Sequence, residues 1–151
     1  MKKKQAVFSN PLDTLLEIKY EVLRTTRRLL EATEDENKTD EKKNEEGLDL
    51  DLEDTDEENI DTKVTLTEFL AIRYLKNTID YLILVVDFLR TLYGDEFNQF
   101  YLKVLKVKNY LRDFILYIDS YEETERKRIY KAFRYVLINI INELIKLLEA
   151  L

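Results

Sequence analysis

Apolar residues recur along this chain at the spacing of a helix face. Between residues 66 and 93, Ile72, Leu75, Ile79, Leu82, Val86, Leu89 and Tyr93 are separated alternately by three and four positions. That rhythm keeps one stripe of side chains on one side of an α-helix, as in the seam of a bundle or coiled coil. It returns in Phe97, Phe100, Val104, Val107, Leu111, Phe114 and Ile118, and again in Ile129, Phe133, Val136, Ile140, Leu144, Leu147 and Leu151. An earlier stretch has a broader apolar face, made by Leu15, Ile18, Val22 and Leu29 with Leu12, Leu16, Leu23 and Leu30. The pattern predicts four amphipathic helices.

Their ends are marked by capping residues. Asn10 is a natural N-cap, Pro11 fits the first helical position because its missing N–H would be unpaired there, and Asp13 adds favourable charge. The first helix should run to about Ala32. Thr65 with Glu68 reads as a capping box opening helix two, and Ser120 with Glu123 as another opening helix four. Gly94 is expected to stop helix two in a left-handed conformation, with Asp95 capping helix three at once.

Helix two, at about 29 residues, should be about 43 Å long. Long helices with short connections must run antiparallel in succession, so helices two, three and four alternate in direction. With only 2 Gly and 1 Pro in 151 residues, the chain lacks the turn punctuation of a sheet-rich fold. The expectation is an all-α single domain over residues 1–151, four long helices in an antiparallel bundle, with helix one free to run either way.

Charge is unevenly distributed. Residues 34 to 62 hold 15 Asp and Glu against Lys38, Lys42 and Lys43, a local net of −12 in a chain of −7, so the remainder is about +5. Such low hydrophobicity with high charge cannot offset chain entropy, and the segment is expected to be a disordered acidic connection between helices one and two. It has three readings: a solubilising loop, a charge shield over the basic bundle, or a binding element. For the last, Leu48, Leu50 and Leu52 alternate with acids in a pattern able to add a strand to a partner's sheet.

Candidate chemistry is sparse. The chain has no Cys and no His, which removes disulfides, thiolate nucleophiles and imidazole-dependent triads and metal sites. Gly47 and Gly94 alone cannot make a phosphate-cradling loop. Asp80, Asp87, Asp113 and Glu143 could converge on magnesium in a phosphohydrolase, but pairing with Lys76, Arg90 and Lys146 at the surface is the simpler expectation. No cofactor is expected. Met1 to Asn10 contain no apolar leader, and the longest uncharged apolar run covers only residues 81 to 86, so a cytoplasmic protein without a membrane span is expected.

Two surfaces remain. Arg126, Lys127, Arg128, Lys131 and Arg134 on helix four, with Lys103 and Lys106 on helix three, could neutralise phosphates of a nucleic acid bound without sequence preference. Ile138, Ile141 and Ile145 extend the apolar side of helix four beyond a narrow seam, which makes that helix either central in the bundle or a face for a second subunit. The functional expectation is a non-enzymatic accessory subunit that binds a larger protein, or its own copies, through helix four and lends a basic surface to nucleic acid. The alternative is an adaptor, regulator or inhibitor whose acidic segment is the binding element or a nucleic-acid mimic.

Overall fold

The structure is a computed structural model that describes residues 10–45 and 64–151, residues 34–45 through their backbone alone. Four α-helices follow one another: α1 Pro11–Glu45, α2 Leu66–Tyr93, α3 Asn98–Leu116 and α4 Glu123–Ala150. Single 3-10 turns, Asp95–Phe97 and Ile118–Ser120, lead from α2 to α3 and from α3 to α4.

The start of α1 follows from its capping residues. Asp13 N–H donates to Asn10 Oδ1 at 3.4 Å, and Asn10 Nδ2 donates back to Asp13 Oδ2 at 2.9 Å. The helix does not end near Ala32 but continues to Glu45, because no Gly or Pro interrupts the chain between Pro11 and Gly47. Leu48, Leu50 and Leu52 lie outside the described residues. The buried stripe of α1 alternates Leu15, Ile18, Val22 and Leu29 with Thr14, Thr25, Thr26 and Thr33. A helix buries threonine cheaply when the hydroxyl bonds its own preceding turn. Thr26 Oγ1 does so to the Val22 carbonyl at 2.7 Å, and Thr33 Oγ1 to that of Leu30 at 2.8 Å.

Helices α2 and α3 obey the three-and-four rhythm. Every α3 seam position from Phe97 to Ile118 is buried, as is every α2 position from Ile72 to Leu89, while Tyr93 at the helix end is exposed. Gly94 ends α2 with its N–H bonded to the Arg90 carbonyl at 2.9 Å. Its φ of 96° is positive as expected, but ψ of −158° is extended, not left-handed helical. Asp95 does not cap α3: it opens the 3-10 turn, and neither that turn nor α3 has a side-chain cap.

Helix α4 is rotated from the expected seam. Its buried positions are Arg126, Tyr130, Phe133, Leu137, Ile140, Ile141 and Leu144, whereas Val136 is 40% exposed and Ile129 and Leu147 only partly buried. The rotation follows from the packing. Helix α1 lies along both α2 and α4, and α3 lies along α2, but α3 and α4 meet much less extensively. α4 therefore turns its apolar side toward α1 and the diagonal α2. Ile141 is fully buried, with Ile138 and Ile145 packed against the core, so helix four's surplus apolar side serves the bundle itself.

The direction of α1 is settled by its neighbours. Leu16 and Ile18 share a shallow groove with Tyr81 and Thr78. On the other side, Leu23 and Leu30 share one with Ile138, Arg134 and Lys131. Arg24, further along α1, lies in the field of Tyr74, further back along α2. Rising numbers on α1 thus meet falling numbers on α2. The four helices form an antiparallel bundle with α2 and α4 parallel across one diagonal.

Candidate functional site

Three features of the bundle are candidates for function: a buried polar cluster at one end, an apolar groove between α3 and α4, and a cationic stripe where α4 meets α1.

The cluster is built from Glu68, Arg126 and Tyr130. Thr65 Oγ1 accepts the Glu68 N–H at 3.0 Å, half of the expected capping box, but the Glu68 carboxylate turns inward rather than back to Thr65. There it meets the Arg126 guanidinium, with Nε donating to Oε2 at 2.8 Å and Nη2 to Oε1 at 3.3 Å. Arg126 Nη1 also donates to the Tyr121 carbonyl at 3.1 Å, and the Tyr130 hydroxyl donates to Glu68 Oε2. All three side chains are at most 1% exposed. Burial, reinforced by the hydrogen bond to Glu68, pushes the Tyr130 phenol well above the usual tyrosine range.

One acid and one base cancel, the forked geometry matches guanidinium to carboxylate, and Tyr130 occupies a remaining lone pair. The cluster is thus a neutral clamp between two helices that otherwise face each other across the diagonal. It also explains the start of α4. Ser120 does not cap the helix; its hydroxyl donates to the Tyr117 carbonyl at 2.6 Å inside the 3-10 turn. Glu122 is the N-cap instead, in a capping box where Glu125 Oε1 accepts the Glu122 N–H at 3.0 Å. Arg126 falls one turn further on, aimed inward.

The groove follows from the sparse packing of α3 on α4. It encloses about 670 Å³ over a floor of Val107, Phe114, Phe133 and Ile140. Phe114 anchors its head, in contact with Tyr121 at 5.2 Å between ring centroids and edge-on to Tyr130 at 5.7 Å. The rims differ. On the α4 side they are the small or short Ala132, Val136 and Asn139; on the α3 side Lys103, Lys106 and Tyr110, the last 65% exposed. Pockets of 300–1,000 Å³ with apolar floors and a few polar groups are the usual form of binding sites. The sequence held one trace of this groove: Val136 and Ile129 fit the three-and-four rhythm, yet α3 offers no residue to cover them.

The predicted cationic set is divided by the fold. Arg126 is in the core, where no phosphate reaches it. Lys131 and Arg134 lie on the α1 side of α4, where they line a shallow groove with the exposed Tyr135 and with Leu23 and Leu30 of α1; Lys127 is half-buried one turn before Lys131. Arg128 is exposed on the outer side, and Lys103 and Lys106 stand apart on the α3 rim.

The acids considered for a metal are spread out. Asp80 pairs with Lys108 at 3.3 Å and Lys76 at 3.7 Å, Asp87 with Arg90 at 2.8 Å, and Asp113 lies 3.9 Å from Arg112. Glu143 is exposed on α4. Among the described residues no three acids gather in a metal-binding group, and no helix is long and apolar enough to cross a membrane. No family model, curated protein or solved structure matches this chain.

Proposed function

We propose that the protein is a non-enzymatic interaction module that docks a larger protein in the groove between α3 and α4. One observation carries the reading: an apolar floor of Val107, Phe114, Phe133 and Ile140 left open along two helices that could have closed on each other. Leaving such a surface uncovered forgoes about 25 cal/mol for each Å² that could have been buried, and open apolar patches of this kind mark interaction sites. The acids offer nothing comparable for catalysis, since Asp80 and Asp87 are held by neighbouring cations at the surface.

The test is capture from the native source with the full chain and with Val136→Arg, which places a charge at the half-open wall of the groove. A stoichiometric protein partner, retained at high salt and lost from the variant, is expected. Identical capture by both chains would refute the reading.

A second reading is supported by Lys131 and Arg134 with exposed Tyr135: a nucleic-acid surface on the α1–α4 side. Cations there would release counterions from a phosphate backbone while Tyr135 stacks on a base. Affinity for single-stranded oligonucleotide should then fall steeply with salt and drop in Lys131→Ala with Arg134→Ala. A shallow salt slope, or no loss in that variant, would dismiss it.

A further inference from the structure

We propose that the occupant of the α3–α4 groove is a single amphipathic helix of the partner, about three turns long, apolar where it enters and acidic on the flank facing Lys103 and Lys106. This rests on the reading of the protein as a docking module and adds the chemistry of what docks.

Length sets the first constraint. From Ile129 to Ile140 the groove follows α4 for about 16 Å at 1.5 Å per residue, so a helix of about eleven residues matches it. Shape sets the second. Ala132 and Val136 keep one wall low, so a helix backbone can approach α4 closely and complete a five-helix arrangement by ordinary ridge-and-groove packing.

Charge sets the third. Both rim lysines stand on the α3 side, so an occupant is favoured if its flank toward α3 is acidic, and is disfavoured if basic. Asp113 lies at the far end of the same rim. The positive N-terminus of a docked helix therefore belongs near Asp113, and its negative C-terminus near Lys103 and Lys106. The same charges argue against a second copy as the occupant. Helix α3 of another copy would bring Lys103, Lys106 and Arg112 with only Asp113 in compensation, Lys108 being paired with Asp80 of α2.

The experiment is fluorescence anisotropy on the full chain with a labelled synthetic helix of about fourteen residues. The peptide carries Leu at the three-and-four spacing and Glu along one flank; its control carries Lys in place of each Glu. The acidic peptide should bind at least tenfold more tightly than the basic one at low salt. Val136→Arg should weaken it at least tenfold, and Lys103→Glu with Lys106→Glu should reverse the preference. All three positions are exposed, and unchanged melting of the variants confirms that they fold.

Equal affinity for the two peptides, or full affinity in Val136→Arg, would overturn the proposal. So would a wild-type dimer in sedimentation that Val136→Arg dissociates, because the groove would then hold a second copy. A native partner whose capture depends on Val136, combined with no acidic preference, would sink this inference and leave the docking function standing. The expected peptide selectivity without any Val136-dependent native partner would instead sink the docking function, and with it the assignment of the groove to a partner's helix.

Discussion

Arg126 reaches Glu68 across 58 residues of sequence and the diagonal of the bundle, with its Nε 2.8 Å from the carboxylate, both side chains out of contact with solvent. Helices α2 and α4 face each other across the diagonal of one core, and this pair with Tyr130 ties them together at their N-terminal ends. A buried ion pair contributes modestly to stability compared with an apolar replacement, but removing one partner strands a charge.

Arg126→Met should therefore cost about 3–5 kcal/mol in urea denaturation. Adding Glu68→Leu and Tyr130→Phe should recover most of that loss, because no buried charge then remains and only the half-buried Tyr121 carbonyl loses its donor. A single variant as stable as the wild type would mean that the cluster is not closed as described.

The raised phenol of Tyr130 gives a pH signature with a definite sign. The folded chain keeps a proton that the unfolded chain releases above the ordinary tyrosine value of 10.0. Stability from this group is thus complete below about pH 10 and declines as pH rises further, by up to about 1.4 kcal/mol per unit. Tyr130→Phe should be less stable than the wild type near neutrality but flatter above pH 10. Parallel profiles for the two chains would contradict the assignment.

Much of this architecture was legible in the pattern of apolar residues. The α3 seam was readable in full because each of its positions is apolar and buried, most of them along α2. The α4 seam was misread because two of its buried positions, Arg126 and Tyr130, are polar; periodicity counts them as surface, and only the pairing with Glu68 reveals otherwise. Glu68 was hidden for a related reason: three residues after Thr65 it satisfies the local rule for a cap, while its carboxylate serves a contact 58 residues away. Beyond the trace left by Ile129 and Val136, the groove was not legible, because it depends on what α3 fails to cover, which is a property of two helices together.

Caps separate the sequence rule from the structure. Thr65 accepts a backbone N–H at the start of α2, whereas Ser120 only bonds a carbonyl within an exposed turn. Thr65→Ala should cost about 1 kcal/mol, and Ser120→Ala less than about 0.5 kcal/mol. Equal losses in thermal or urea melts would restore Ser120 as a cap.

Gly94 combines φ of 96° with extended ψ, a region essentially reserved for glycine. A Cβ there meets nothing within 4 Å, so any cost of substitution is backbone strain rather than a clash. Gly94→Ala should lose about 1–3 kcal/mol, and Gly94→Asn a similar amount, since asparagine's tolerance is for the left-handed helical region instead. A neutral Gly94→Ala would show that the α2–α3 turn relaxes.

The most direct test of the docking account is a backbone amide NMR titration of the full chain with the acidic helical peptide. Chemical-shift changes are expected along α3 at Val107 to Phe114 and along α4 at Ile129 to Ile140, with Arg27, Lys131 and Arg134 unmoved. Changes confined to the cationic side of α1 and α4, or spread evenly over the bundle, would contradict it.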